Sequence, residues 1–262
     1  MNILERIIAD KIKEVALRKK MIPTFQLERS FLFDRPTFSL VKNLQESTTG
    51  IIAEYKRRSP SKGIINNSFS IADVASSYEN AGVCGISVLT DGKYFGGSIE
   101  DLATARASCK LPILRKDFIV DTYQIFEAKA HGADVILLIA AVLSPAKITH
   151  FSQLAKQLNL EVLLEVNNVV EIQESMQSSL DLIGINNRNL KTFEVNLNTS
   201  KSLSTEIPDD FIKISESGIS NTETILELKL FGFRGFLIGE NFMKTENPGH
   251  SAKTFINNLK KN

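Results

Sequence analysis

From about residue 50 onward the chain repeats one unit: a short apolar run of strand type, a polar or glycine-bearing loop, a capped amphipathic helix and a turn. Eight strand candidates stand in order: Ile51–Lys56, Gly85–Thr90, Pro112–Phe118, Asp134–Ala141, Val162–Val166, Leu182–Asn187, Phe211–Glu216 and Gly235–Gly239. Their starts lie roughly 20 to 35 residues apart, the length of one strand–helix unit. Runs such as DVILLIAA are continuously apolar after their first residue, as suits a parallel strand covered on both faces. Eight such units favour an α/β fold of the closed (β/α)8 type, a TIM barrel. An open doubly wound sheet is the rival, but it usually begins with a Gly-rich nucleotide turn, which the first strand lacks.

The helices carry their own punctuation. Ser70 stands three residues before Asp73 and Ser98 three before Asp101, both resembling capping boxes. Ser144 precedes Pro145, an N-cap followed by proline at the first helical position. Gly82, Gly132 and Gly232 follow helical runs as C-cap candidates. The N-terminus is charged throughout and reads as an amphipathic helix with Ile3, Ile7, Ile8, Ile12 and Val15 along one stripe. It is neither a signal peptide nor a membrane span. We expect a single barrel domain over residues 1–262, with 1–48 as an N-terminal helical extension and 49–262 as the barrel core.

Bulk chemistry narrows the partners. The formal net charge is +1, which gives no field for nucleic acid or an acidic membrane surface. Cys84 and Cys109 both adjoin apolar stretches, so a disulfide framework is not expected and a cytoplasmic setting fits. His131, His150 and His250 are scattered without metal-ligand spacing, and no metal is expected.

In a barrel of this type chemistry sits at the C-terminal strand ends. The first strand ends IIAEYKRRSPSKG; Glu54 and Lys56, two apart, share a face. They read either as a stabilising ion pair at the rim or as part of a polar cavity. On the third strand Lys116 is in phase with Leu114, which points it inward, where apolar surroundings are expected to lower its pKa. Glu165 is in phase with Leu163 on the fifth strand, and Asn186 with Arg188 at the end of the sixth. The seventh and eighth strands end ISESGIS and LIGENF; Gly218 and Gly239 sit where phosphate commonly binds in this fold.

Taken together, these segments resemble the indole-3-glycerol-phosphate synthase family. IAEYKRRSPSKG, LTDGKYFGGS, LRKDFIVDTYQI, LLEV, GINNRNL, SESGI and LIGENFM stand in order, and RPTFSLVKNL fits the family's extension ahead of the barrel. The resemblance implies a carboxy-lyase of tryptophan biosynthesis. Its substrate is 1-(2-carboxyphenylamino)-1-deoxyribulose 5-phosphate, and the reaction is ring closure, decarboxylation and dehydration, with no cofactor. It implies Lys116 as the acid for ring closure, Glu165 as an acid–base residue and Lys56 as the contact for the departing carboxylate. Glu54 and Asn186 would orient groups in the same cavity, with Glu54 a further acid–base candidate. Arg188 and Ser217 would contact substrate, and Ser59, Gly218 and Gly239 would hold the phosphate. Phe95, Phe118, Leu137, Leu190 and Leu237 would form the apolar slot for the aromatic ring. Glu240 departs from relatives with Ser or Thr there; its side chain is expected to point outward while its N–H faces phosphate. We expect a phosphorylated small molecule as the sole ligand and a monomer or weak homodimer.

Overall fold

The computed structural model describes residues 2–189 and 192–261. Eight parallel strands close into a barrel: β1 Ile51–Tyr55, β2 Gly85–Leu89, β3 Ile113–Lys116, β4 Val135–Ile139, β5 Glu161–Val166, β6 Leu182–Asn186, β7 Ile212–Glu216 and β8 Phe233–Ile238. Each strand pairs with its sequence neighbours, and β1 closes the ring on β8 through Ile51, Ile52 and Ala53 opposite Phe236, Leu237 and Ile238. All eight expected strands are present; most are trimmed at their ends, while β5 begins one residue earlier than expected and β8 two. Pro112, Asp117 and Phe118 fall outside β3, and Asp134, Ala140 and Ala141 outside β4, although Pro112, Asp134 and Ala140 still share hydrogen bonds with neighbouring strands.

Alternation along each strand divides the core in two. Ile52, Leu114, Val135, Leu137, Leu163, Leu182, Ile212, Ile214 and Leu237 fill the barrel interior. Ile51, Ala53, Ile86, Val88, Ile113, Ile136 and Leu138 face the outer helices. The anticipated caps form: Ser70, Ser98 and Ser144 accept from the backbone N–H three residues on, and Gly82, Gly132 and Gly232 take the left-handed conformation at helix ends.

Three helices precede β1, and they cover both ends of the barrel. The helix Leu40–Glu46 inserts Leu40 and Leu44 into the interior cluster from the N-terminal end of the strands. Its start is held by Glu161 at the beginning of β5, which accepts from the Leu40 and Val41 N–H groups at 2.8 and 3.1 Å. At the opposite end lies α1, Ile3–Met21, with Ile3, Leu4 and Ile7 reaching the cavity at the strand ends. The stripe expected on α1 is corrected by the structure. Ile7 and Val15 are buried, but Ile12 is 54% exposed and the buried residue between them is Lys11. Ion pairing at Lys11, together with the buried Ile7 and Val15, fixes the rotation of this helix. Among the described residues no helix is long and apolar enough to cross a membrane.

Candidate active site

The inward phase of each strand runs from apolar residues at the bottom to polar ones at the top. Ile52 is followed by Glu54, Leu114 by Lys116, Leu163 by Glu165, Leu182 by Asn186, and Ile212 and Ile214 by Glu216. These polar ends open into a cavity of about 570 Å3, within the usual range for a small-molecule site. Every site residue expected from the sequence lies in its wall except Leu190, which falls outside the described residues.

At the centre, the Lys116 ammonium lies 2.9 Å from Glu165 Oε2 and 3.1 Å from Glu216 Oε2. Asn186 Nδ2 donates to the other Glu165 oxygen at 3.0 Å, and Asn186 Oδ1 accepts from the Arg188 N–H at 3.0 Å. Beside this group Lys56 donates to Glu54 Oε1 at 2.6 Å, while Ser87 donates to Glu54 Oε2 at 3.4 Å. Glu54, Glu165 and Glu216 are all buried, so each carboxylate requires a cation or a proton close by.

The expected depression of the Lys116 pKa is overturned. Burial pulls the ammonium's pKa down, but Glu165, Glu216 and Glu54 outweigh it, and the net shift is upward. Lys116 is therefore held as a cation. Glu216 shows the complementary effect. Burial, reinforced by the charges of Glu165 and Glu54, pushes its carboxyl up to about 7 despite the neighbouring ammonium. Its Oε1 is buried without a hydrogen-bond partner.

Two glycines make room for this cluster. A Cβ on Gly184 would stand 2.3 Å from Glu216 Oε1, and one on Gly239 would stand 2.5 Å from Glu54 Oε1. Gly239 thus has a packing reason for being glycine, independent of any ligand.

The two ends of the cavity differ. On the β2–β4 arc, Phe95 and Phe118 lie with ring centroids 6.1 Å apart and join Leu137 in an apolar wall. On the β7–β8–β1 arc, the wall is made by Ser217, Gly218, Gly239 and the loop carrying Ser59. Ser217 and Gly218 both have positive φ, +67° and +82°, a sharp turn unusual for serine at the end of a strand. Ser59 sits in a short antiparallel ladder, Arg58–Ser59 with Gly63–Ile64. Glu240 corrects the expectation of an outward side chain. Its carboxylate lies 3.7 Å from Lys62 Nζ and 4.0 Å from Arg188 Nη2, drawn to the two cations on this side of the cavity.

The sequence reading missed Glu216. A usable signal existed, since Glu216 is in phase with Ile212 and Ile214, but the adjacent SGI turn drew the reading to its glycine. It also missed Ile3, Leu4 and Ile7, because helical periodicity reports a buried face without saying what covers it.

Acid–base groups gathered at the strand ends, over an interior of packed apolar layers, define this chain as a (β/α)8-barrel enzyme. Solved structures agree on the fold. The chain resembles 3-hexulose-6-phosphate synthase from Salmonella typhimurium with a TM-score of 0.65 at 12% identity, over 81% of this chain and 99% of that one. It resembles thiamine phosphate pyrophosphorylase from Pyrococcus furiosus with a TM-score of 0.62 at 15% identity, over 85% and 98%. Sequence comparison goes further. The family model "Indole-3-glycerol phosphate synthase" matches residues 4–255. The chain is 46% identical to the indole-3-glycerol phosphate synthase of Bacteroides thetaiotaomicron, over 97% of this chain and 98% of the relative. It is 42% identical to that of Albidiferax ferrireducens, over 95% and 96%. The chain belongs to the indole-3-glycerol phosphate synthase family.

Proposed function

We propose that this cavity binds 1-(2-carboxyphenylamino)-1-deoxyribulose 5-phosphate and converts it to indole-3-glycerol phosphate, carbon dioxide and water. The observation that carries the assignment of roles is the Lys116 ammonium, held between Glu165 and Glu216 with an aromatic wall on one side and the Ser217–Gly218 turn on the other. The substrate has matching ends. Its aryl ring fits Phe95, Phe118, Leu137 and Leu237, and its phosphate fits Ser59, Gly218 and Gly239, with Arg188 and Ser217 as further contacts.

The aniline nitrogen pushes its electron pair into the ring, so the ring carbon bearing the carboxylate attacks the ketone carbon. The ketone oxygen becomes an alkoxide, a stronger base than any amine, and takes the proton of Lys116. An ammonium stabilised by carboxylates still serves here, because the acceptor develops full charge only as the bond forms. Lys56 holds the substrate carboxylate against the ring plane until the carbon–carbon bond breaks and its electrons restore the aromatic ring. Dehydration then needs one proton delivered to the hydroxyl and one removed from the adjacent carbon. Glu165 and Glu54 serve these transfers, with Asn186 orienting Glu165. Glu216, titrating near neutrality and 3.1 Å from Lys116, returns a proton to the spent amine.

The same carboxylates weigh against a Schiff-base aldolase, which needs a neutral amine at Lys116. Borohydride added during turnover is expected to leave no covalent adduct on the protein, while carbon dioxide is released one-for-one with ring closure. A reduced adduct on Lys116 seen by mass spectrometry overturns the assignment. We place this reaction in the cytoplasm, which accords with two cysteines that are free and buried.

Glu240 competes with the phosphate for Lys62 and Arg188. These are half-exposed pairs at long range, worth at most about 1 kcal/mol. The Glu240→Ser protein is expected to bind inorganic phosphate, as a competitive inhibitor, up to about fivefold more tightly. A weaker inhibition constant in the variant contradicts this reading.

A further inference from the structure

The helix α1 carries a lysine where its buried stripe calls for an apolar residue. Lys11 is 1% exposed, and its ammonium lies 2.9 Å from Asp91 Oδ2, 3.0 Å from Asp117 Oδ1 and 3.0 Å from Glu14 Oε2. Asp91 and Asp117 come from different barrel loops, and each fixes one aromatic wall. Asp91 Oδ1 accepts from the Tyr94 and Phe95 N–H groups at 2.7 and 3.3 Å, capping the turn that carries Phe95. Asp117 Oδ1 accepts from the Phe118 N–H at 2.8 Å, and Asp117 itself directly follows Lys116 in the chain. The Phe95 and Phe118 rings are the pair 6.1 Å apart that faces the cavity.

We propose that Lys11 is a positioning residue for the reaction: one ammonium from the extension ties together the two carboxylates that set the separation of Phe95 and Phe118. Without it, the buried Asp91 carboxylate would lose its cation and Asp117 would keep only Arg115, 3.1 Å away, so the charge shared between the two loops would be gone. Burial alone pulls the Lys11 pKa down, but Asp117, Asp91 and Glu14 raise it overall, so the ammonium keeps its charge. Other α1 contacts to the same loop are peripheral: Asp10 reaches Lys93 at 2.7 Å and the Tyr94 hydroxyl at 2.6 Å near the surface. The phosphate end has no part in the Lys11 cluster. The proposal rests on the reading of the cavity as the synthase site, in which those rings grip the aryl group.

The test is kinetic and structural, on the full-length Lys11→Met protein assayed well below its melting temperature. We expect kcat/KM for the carboxyphenylamino substrate to fall on the order of 10- to 100-fold. The loss should be carried more by KM than by kcat, with inhibition by inorganic phosphate unchanged. The crystal structure of the variant should show the Phe95–Phe118 separation altered. Adding Asp91→Asn, which removes one of the facing charges and keeps the cap acceptor, should recover part of the lost affinity. A folded variant with unchanged KM and unmoved rings overturns the proposal. If Lys11→Met does not fold, Asp91→Asn alone should raise KM in the same pattern by a smaller factor, and an unchanged KM there overturns it equally. If the unmodified protein fails to turn over the substrate, the functional reading falls. The ring separation in the variant then decides the positioning role separately, and unmoved rings overturn it.

Discussion

Lys116→Ala is expected to lose turnover by a factor on the order of 1,000 or more, in the range for removing a positioned acid, while substrate binding persists. The reason lies in the separation of tasks. The Phe95–Phe118 wall and the Ser217–Gly218 turn are parts of the cavity lining that the substitution leaves in place, so the two ends of the substrate keep their contacts. Binding is measured by calorimetry with an analogue whose ketone is reduced to an alcohol, and turnover by product formation. The substitution has a second consequence. Glu165 and Glu216 both lean on this ammonium, at 2.9 and 3.1 Å, and its removal leaves two buried carboxyls with no cation between them. At least one then holds a proton, and the variant is expected to be least stable at high pH, where that proton is lost. Near-normal turnover by the variant rejects Lys116 as the acid.

Glu216→Gln is expected to lower kcat on the order of 100-fold and to remove a titration near neutrality from the pH–rate profile. Burial pushes the carboxyl up to about 7, so in the native protein it changes protonation across the working pH range, and the amide cannot. The sign of the stability effect follows from linkage. The ordinary value is 4.5 and the folded value lies above it. Between the two, the folded state holds a proton that the unfolded chain has released, so the carboxyl costs stability as pH rises through this window. The variant is spared that cost. Its stability relative to the native protein should therefore increase from pH 4.5 to about pH 7 and level off above. Denaturant titrations across this range measure it. A pH–rate profile still showing the limb near 7 assigns that titration elsewhere.

The barrel was legible in the sequence because each strand reports its own burial. DVILLIAA is apolar on both faces beyond its first residue, as a parallel strand covered on both sides must be. Lys116 and Glu165 were legible for a related reason, since each continues the inward phase of a strand through the apolar Leu114 or Leu163, while Asn186 was read from the face it shares with Arg188. What could not be read was how these groups alter one another. Leu114 below Lys116 argued for a depressed pKa, and only the convergence of β1, β5 and β7 on one point reverses the sign. Gly239 read as a phosphate glycine, yet the space it leaves is taken by Glu54, from a strand far away in sequence. Lys11 was hidden for the opposite reason, since a lysine inside an apolar stripe reads as surface until Asp91 and Asp117 are seen to meet it.

The most direct test is fluorescence on mixing the purified protein with 1-(2-carboxyphenylamino)-1-deoxyribulose 5-phosphate. The chain contains no tryptophan, so any indole emission comes from product alone. The account predicts a steady rise in indole fluorescence, without added metal or cofactor, that disappears in Lys116→Ala. Folded protein that leaves the substrate unchanged and gives no indole signal would contradict it.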